Sequence, residues 1–371
     1  MGAGWRIGRL AGIDISIHPS WLVIAAILTF SLAQGSIQQL FPGLPAGFQW
    51  AAGAAAAIIF FASVVAHELS HAVLARRFGM EVRGITLFIF GGATELEGDP
   101  RRPRDEAMMA AAGPATSLLI GLGLIGIAAV APTLGEPLFW FGMINVTLGL
   151  FNLVPGFPLD GGRILRAFIW HLRGDRIAAT GNAAFVGRII AYGLIVIGIV
   201  TTLSGGLGGG GLWLALVGWF LSNAAEATAF QARIEHSLRG VRVRDVMDAS
   251  APVISPNESV ASLVTNHMLR GDRRSFLVAY DDGGLAGVVT LADIRRVPRE
   301  HWDETRVTDV MTRFADLATV GPDEAATEAL GVLQSREIAQ LPVVVDGRTP
   351  VGMLTLGGIL RLIETRRRLG V

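Results

Sequence analysis

Residues 50–77, WAAGAAAAIIFFASVVAHELSHAVLARR, begin with an uncharged apolar run (50–66) that leads straight into His67-Glu68-Leu69-Ser70-His71. Alanine, isoleucine and phenylalanine without proline predict one helix, long enough with the residues behind it to cross a bilayer. His67 and His71 are four apart, so on a helix they stand one turn above the other and can reach one metal ion. Glu68 lies beside them, within reach of a metal-bound water. Histidine and glutamate inside a span are costly and mark a functional site. The competing reading, polar residues on a soluble core helix, is opposed by the apolar flanks.

Composition agrees with a membrane setting. The chain of 371 residues is 51% hydrophobic and 17% charged, against roughly a quarter charged in an average soluble protein. Its formal charge is zero, which gives no global basic field for nucleic acid and no acidic tail. Every basic residue is arginine, a side chain suited to the lipid headgroup boundary. There is no cysteine, hence no disulfide, thiol nucleophile or thiolate ligand, and imidazole and carboxylate remain to hold zinc.

Apolar stretches of spanning length fall at 20–36, 51–75, 106–131, 137–158, 183–203 and 211–230, predicting six crossings. The connection after the second carries Arg76, Arg77, Arg83, Arg101, Arg102 and Arg104; that after the fourth carries Arg163, Arg166, Arg173 and Arg176. The connections at 37–50, 131–137 and 204–210 carry no arginine, so both termini are expected in the cytoplasm of a multi-pass cell-membrane protein, with an uncleaved first span. The glycine-rich 204–211 reads as an external turn, lacking the residues of a phosphate loop. Residues 81–98, EVRGITLFIFGGATELEG, alternate like strands around Gly91-Gly92 and predict a β-hairpin whose edge can pair with an extended peptide, the alternative being an ordinary amphipathic connector.

From Arg239 onward the chain is polar and repeats itself with a period of about 65 residues. Asp245-Val246-Met247 recurs as Asp309-Val310-Met311, and Gly287-Val288-Val289-Thr290 as Gly352-Met353-Leu354-Thr355. The expected fold is therefore an α-helical polytopic membrane protein with a small β-hairpin, plus a cytoplasmic α/β tandem module. The expected boundaries are 1–232 for the membrane domain, 233–243 for a linker, and 244–300 and 301–371 for the two soluble units.

A catalytic zinc commonly takes three protein ligands. The remaining candidates are Asp160, Glu95, Glu97, Asp99 and Glu106; His18 reads as interfacial, and His171, His236, His267 and His301 lie in or near polar segments. Depth selects among them. With Arg76 at the boundary, His71 is about 8 Å and His67 about 13 Å inside it. Asp160 ends residues 152–162, NLVPGFPLDGG, near the same depth. The prolines and glycines there break a helix and expose backbone groups that, with the amide of Asn152, are candidates to hold a substrate backbone. Zinc on His67, His71 and Asp160, with Glu68 as general base, predicts amide hydrolysis.

On His67-Glu68-Leu69-Ser70-His71 and the 152–162 segment with Leu159-Asp160-Gly161, the sequence resembles the site-2 protease family of intramembrane zinc metalloproteases, in the branch with six spans and a C-terminal pair of CBS domains. The resemblance covers nearly the whole chain. It implies zinc on His67, His71 and Asp160, Glu68 as the catalytic acid and base, Asn152 near the bound peptide, and a membrane-associated hairpin at Gly91-Gly92. Implied substrates are transmembrane segments of anti-sigma factors or membrane-tethered transcription factors, in bacteria or archaea. The CBS pair resembles a nucleotide sensor and a homodimerisation module, with Thr290 and Asp293 keeping a Gly-x-x-Thr-x-x-Asp pattern for ATP or AMP. In the second repeat Gly358 stands where that aspartate belongs. The alternative reading is a CBS-regulated metal or ion transporter; it would need polar residues along the membrane depth, whereas these converge at one level.

Overall fold

The computed structural model describes residues 4–38, 43, 45–131, 135–205, 210–271 and 273–369. The chain divides into two compact units, Met1–Ala232 and Arg233–Val371. Residues 39–42 and 44 of the arginine-free connection 37–50, 132–134 of that at 131–137 and 206–209 of the glycine-rich 204–211 segment lie outside the described residues.

The first unit opens with a strand pair the sequence reading did not anticipate, β1 (Trp5–Leu10) and β2 (Ile13–Ile17), followed by α1 (Ser20–Ser31), whose last turn continues as a π-helical segment Leu32–Ile37. Then come α2 (Ala46–Arg77), β3 (Glu81–Phe88), β4 (Gly91–Glu97), α3 (Pro103–Val130), α4 (Gly135–Asn152), α5 (Asp160–Arg173), α6 (Arg176–Leu203) and α7 (Gly210–Ser237). All six predicted apolar stretches fall largely on helices. Among the described residues α2, α3 and α6 are long and apolar enough to cross a membrane.

The hairpin expected at 81–98 is present as β3 and β4, with Thr86 opposite Ala93 and Phe88 opposite Gly91. It belongs to a larger sheet of order β1-β2-β3-β4, in which β2 runs parallel to β3 with Ile15 beside Ile85. Alternate residues Ile13, Ile15, Ile85 and Leu87 are buried, as the period of two requires, and Ile13 and Ile85 pack on Ala72 and Leu69 of α2. Arg76, at the end of α2, donates to the carbonyls of Ala11 (2.8 Å) and Gly12 (2.9 Å), tying the β1–β2 turn to that helix. At the other end of the sheet Phe90 stacks on Phe220 of α7 with ring centroids 3.8 Å apart.

Helix contacts in this unit are made through small residues, which let backbones approach closely in the absence of a hydrophobic driving force between helices. A Cβ on Gly121 of α3 would come within 2.7 Å of the Gly142 carbonyl of α4, and one on Gly218 of α7 within 2.7 Å of the Ala191 carbonyl of α6. Between α4 and α5 the chain is broken at 153–159, as its prolines and glycines predict, and this segment lies directly on α6. There a Cβ on Gly187 would sit 2.2 Å from the Phe157 carbonyl oxygen. Asp175 caps α6 by accepting from the amides of Ile177 and Ala178.

In the second unit both sequence repeats fold as α/β units, each with an antiparallel strand pair followed by a helix. The first has β5 (Val253–Ile254), α8 (Val260–Ser262) extended by a π-helical turn, β6 (Ser275–Ala279), β7 (Leu285–Thr290) and α9 (Leu291–Ile294). Then follow α10 (Val307–Val310), β8 (Thr312–Arg313), α11 (Ala326–Ser335), β9 (Gln340–Val345), β10 (Thr349–Thr355) and α12 (Leu356–Leu369). The repeats exchange lead-in segments. Arg242 bridges to Ala325 and Asp248 to Met353 of the second repeat, while Arg306 bridges to Ser259 and Thr312 to Val288 of the first. Each lead-in carries the same local device, an aspartate accepting from the amide three residues earlier (Asp245 to Arg242, Asp309 to Arg306).

The close approach of α6 to the broken segment gives a direct test. Gly187→Ala should destabilise the detergent-solubilised protein by about 1–3 kcal/mol through overpacking, read as a lower melting temperature. Gly193→Ala on the same helix, where a Cβ meets nothing within 4 Å, should melt like the parent.

Candidate metal centre

Three faces of α2 do different work, and the helical repeat of about 100° per residue assigns them. Leu69 and Ala72 point to the sheet. His67 and His71 point roughly opposite, toward α3, and are buried. Glu68 falls between, at the seam where α2, the sheet and the site meet.

Helix α3 presents a complementary row at four-residue spacing. His71 Nδ1 lies 2.7 Å from the Met109 carbonyl oxygen and His67 Nδ1 lies 2.9 Å from Ser117 Oγ. Between them is Gly113, where a Cβ would sit 2.2 Å from His71 Nε2 and 2.4 Å from His67 Nε2. Glycine is thus the residue that leaves space in front of both ring nitrogens. A carbonyl oxygen only accepts, so His71 Nδ1 carries the hydrogen, and neutral His71 presents a bare Nε2 lone pair on its other side.

Asp160 faces those lone pairs. It occupies the first turn of α5, where an acid is favoured by the helix dipole, and its Oδ2 lies 3.0 Å from His67 Nε2 and 3.2 Å from His71 Nε2. Access to this position depends on Gly161 and Gly162, where a Cβ would lie 2.3 Å from the Leu153 carbonyl and from the Phe157 amide nitrogen respectively. The cluster His67, His71 and Asp160 brings three ligand atoms within 4.8 Å of one another. Ligand atoms at 2.0–2.1 Å from a tetrahedral zinc stand about 3.3 Å apart, close to the observed spacing. With both Nε2 atoms unprotonated, these three atoms suit a cation between them. The donor set therefore fits zinc, with imidazole nitrogens oriented from behind by α3 as metal-bound histidines usually are.

Glu68 stands next to the cluster without joining it. Its Oε2 accepts from the Thr94 hydroxyl of β4 at 2.8 Å, and a Cβ on Gly92 would sit 2.5 Å from its Cγ. The strand is thus laid directly on the glutamate, and Gly92 is a close-approach residue in addition to a turn residue. Gly91 has φ +129° and starts β4.

The other carboxylates considered as ligands are engaged or exposed. Asp99 pairs with Arg176 at 2.7 Å, Glu97 with Arg83, and Glu106 with Arg166, while Glu95 points to the surface. His18 contacts Ser20 Oγ at 2.8 Å, and His267 lies 3.3 Å from Glu258. Asn152 is near the end of α4 and donates to the Leu148 carbonyl at 3.0 Å. In the second unit Thr290 lines a cavity of about 850 Å³ together with Arg274, Arg295, Arg296, Arg336 and Gln340. Asp293 is turned back to accept from the Thr290 amide (2.9 Å) and hydroxyl (2.7 Å). Sequence reasoning missed Met109, Gly113, Ser117 and Thr94. Only Gly113 and Ser117 left a trace, as small residues four apart in an apolar helix.

Comparison with known proteins follows the same division. The family model described as peptidase family M50 matches residues 55–133 and 122–196, and the CBS domain model matches 243–300 and 307–365. Rip3 of Mycobacterium tuberculosis is 36% identical over 97% of this chain and 93% of its own length. A zinc metalloprotease of Methanocaldococcus jannaschii is 27% identical over 97% of this chain and 96% of its own. The solved site-2 protease from Methanocaldococcus jannaschii is 26% identical, with a TM-score of 0.44 over 61% of this chain and 95% of that one. Residues, fold elements and relatives converge: the chain belongs to peptidase family M50, the site-2 proteases, and carries a C-terminal pair of CBS domains.

Proposed function

We propose that the protein is an intramembrane zinc endopeptidase that hydrolyses peptide bonds within or near transmembrane segments of membrane-bound regulatory proteins, such as anti-sigma factors or membrane-tethered transcription factors. The observation that carries this reading is the convergence of two oriented imidazole nitrogens and one carboxylate oxygen beside a separate, hydrogen-bonded glutamate. His67, His71 and Asp160 would hold the zinc, which when bound supplies a water of lowered pKa and polarises a carbonyl. Glu68 takes the proton from the attacking water and delivers it to the leaving amine. The Thr94 hydroxyl occupies Oε2, which directs that exchange to Oε1.

The substrate is read as an extended peptide. In the order β1-β2-β3-β4 the outer edge of β4 pairs with no other described strand, and an added strand there would run past Gly91, Gly92 and Glu68. Helical carbonyls are shielded by their own hydrogen bonds, so a membrane segment must unwind before it can pair in this way. Asn152 lies where α4 ends and would contact the peptide backbone. Both termini in the cytoplasm of a multi-pass cell-membrane protein complete the topology this reading needs.

Regulation through the CBS pair is proposed to come from an adenine nucleotide such as ATP or AMP in the cavity of about 850 Å³, a volume suited to a small ligand. Arg274, Arg295, Arg296 and Arg336 supply guanidinium groups for phosphates and Thr290 a hydroxyl. With Asp293 held in its capping contact, arginine–phosphate contacts outweigh ribose recognition. The CBS pair would also join two copies of the chain.

These proposals separate by experiment. Glu68→Gln should keep zinc by elemental analysis and lose cleavage of a co-expressed membrane substrate by about 10²-fold or more; undiminished cleavage removes the general-base assignment. Asp160→Asn and Gly113→Ala should both lose zinc, whereas Gly126→Ala on the same helix, where a Cβ meets nothing within 4 Å, should retain it. Titration calorimetry of the full-length protein should show heat with ATP or AMP that Arg295→Ala diminishes; no heat from either leaves the CBS pair as an association module.

A further inference from the structure

Glu106 was one of the carboxylates that sequence alone could offer as a metal ligand, and the structure puts it elsewhere. Its side chain is fully buried. Arg166 of α5 donates to Glu106 Oε1 through Nε at 2.6 Å and again through Nη2, while Oε2 has no hydrogen-bond partner among the described residues. A buried ion pair of this kind is a weak source of stability, because desolvation offsets the attraction, and an apolar pair of similar volume often serves as well or better. Its presence, with one oxygen left unsatisfied, calls for another explanation.

The pair's location supplies one. Glu106 lies on the same face of α3 as Gly113, seven residues before it, which is about 10 Å along the axis. Arg166 lies six residues after Asp160 on α5, about 9 Å along and about 120° around that helix. The two helices therefore meet at two levels, the metal cluster at one and the ion pair at the other. Close packing at Gly161 and Gly162 fixes the start of α5, and a contact two turns on at a different azimuth opposes rotation about its axis. Arg166 also grips the chain on the other side of Asp160. Its guanidinium carbon is 5.1 Å from the ring centroid of Phe157 in the broken segment, and its Nη1 is 3.5 Å from Thr180 Oγ1 of α6.

Resting on the metal-centre reading above, we infer that Glu106 and Arg166 are positioning residues that fix the rotation of α5 and so hold Asp160 Oδ2 against the two histidines. Neither touches the reacting atoms. Their contribution is to the geometry of the third ligand, and its loss should appear in metal binding before it appears in folding.

The test uses full-length protein in detergent, with zinc affinity measured by chelator competition, the visible d–d spectrum of the cobalt-loaded form, and melting of the metal-free protein. In Glu106→Leu/Arg166→Met both charges are gone, so melting should match or exceed that of the parent. Zinc affinity should nevertheless fall about 10- to 100-fold, as for lost outer-shell partners, and the cobalt bands should shift. Arg166→Lys, which keeps the charge and loses the fork, should give an intermediate affinity. Parent-like affinity and spectrum in the double variant, or parent affinity in Arg166→Lys, overturns the inference alone. A parent protein that takes up neither zinc nor cobalt overturns the metal-centre reading, and this inference with it.

Discussion

A carboxylate oxygen facing two imidazole nitrogens in a buried site is the constraint around which the first unit is built. Asp160 Oδ2 stands 3.0 and 3.2 Å from the two Nε2 atoms, and in neutral His71 the hydrogen sits on Nδ1, against the Met109 carbonyl, which leaves Nε2 free to ligate. A cation between them would turn all three atoms into ligands. Keeping this arrangement assembled requires close helix approach, and small residues provide it. Gly113 clears the space in front of the rings, Gly161 and Gly162 fold the first turn of α5 onto the broken segment, and Gly187 lets that segment rest on α6.

The division of labour on α2 follows from helical geometry. One face is glued to the sheet through Leu69 and Ala72, another offers the imidazoles to α3, and Glu68 is left at the boundary between them. That boundary is where an extended peptide added to β4 would lie, so the carboxylate proposed to handle protons and the edge proposed to hold the substrate meet by construction. Thr94 links them, with its hydroxyl on Glu68 and its backbone in the strand.

What could be read from the sequence was what one element encodes by itself. The His-Glu-Leu-Ser-His pair lies on a single helix and obeys its period, and Asp160 was singled out by its depth, at the end of a segment that prolines and glycines break. The tandem repeat was visible in Asp245-Val246-Met247 and its copy. The missed features depend on partners distant in the chain. β1 shows no buried alternation, since all six residues are exposed, and β2 alternates over only five residues, too short a run to stand out without its partners β1 and β3. Arg76 looked like a headgroup arginine, yet it holds the Ala11–Gly12 turn. Residues 160–173 looked like an arginine-bearing loop, yet form the helix that carries Asp160. The Met109 carbonyl has no side-chain signature at all.

The exchange of lead-in segments in the second unit has a thermodynamic meaning. Because Asp248 and Met353 bond across one repeat boundary and Thr312 and Val288 across the other, each half completes its sheet with backbone borrowed from its sibling. Melting one half would withdraw backbone partners from the other. The two repeats are therefore expected to unfold as a single cooperative body, with the pair, and not the repeat, as the unit of stability.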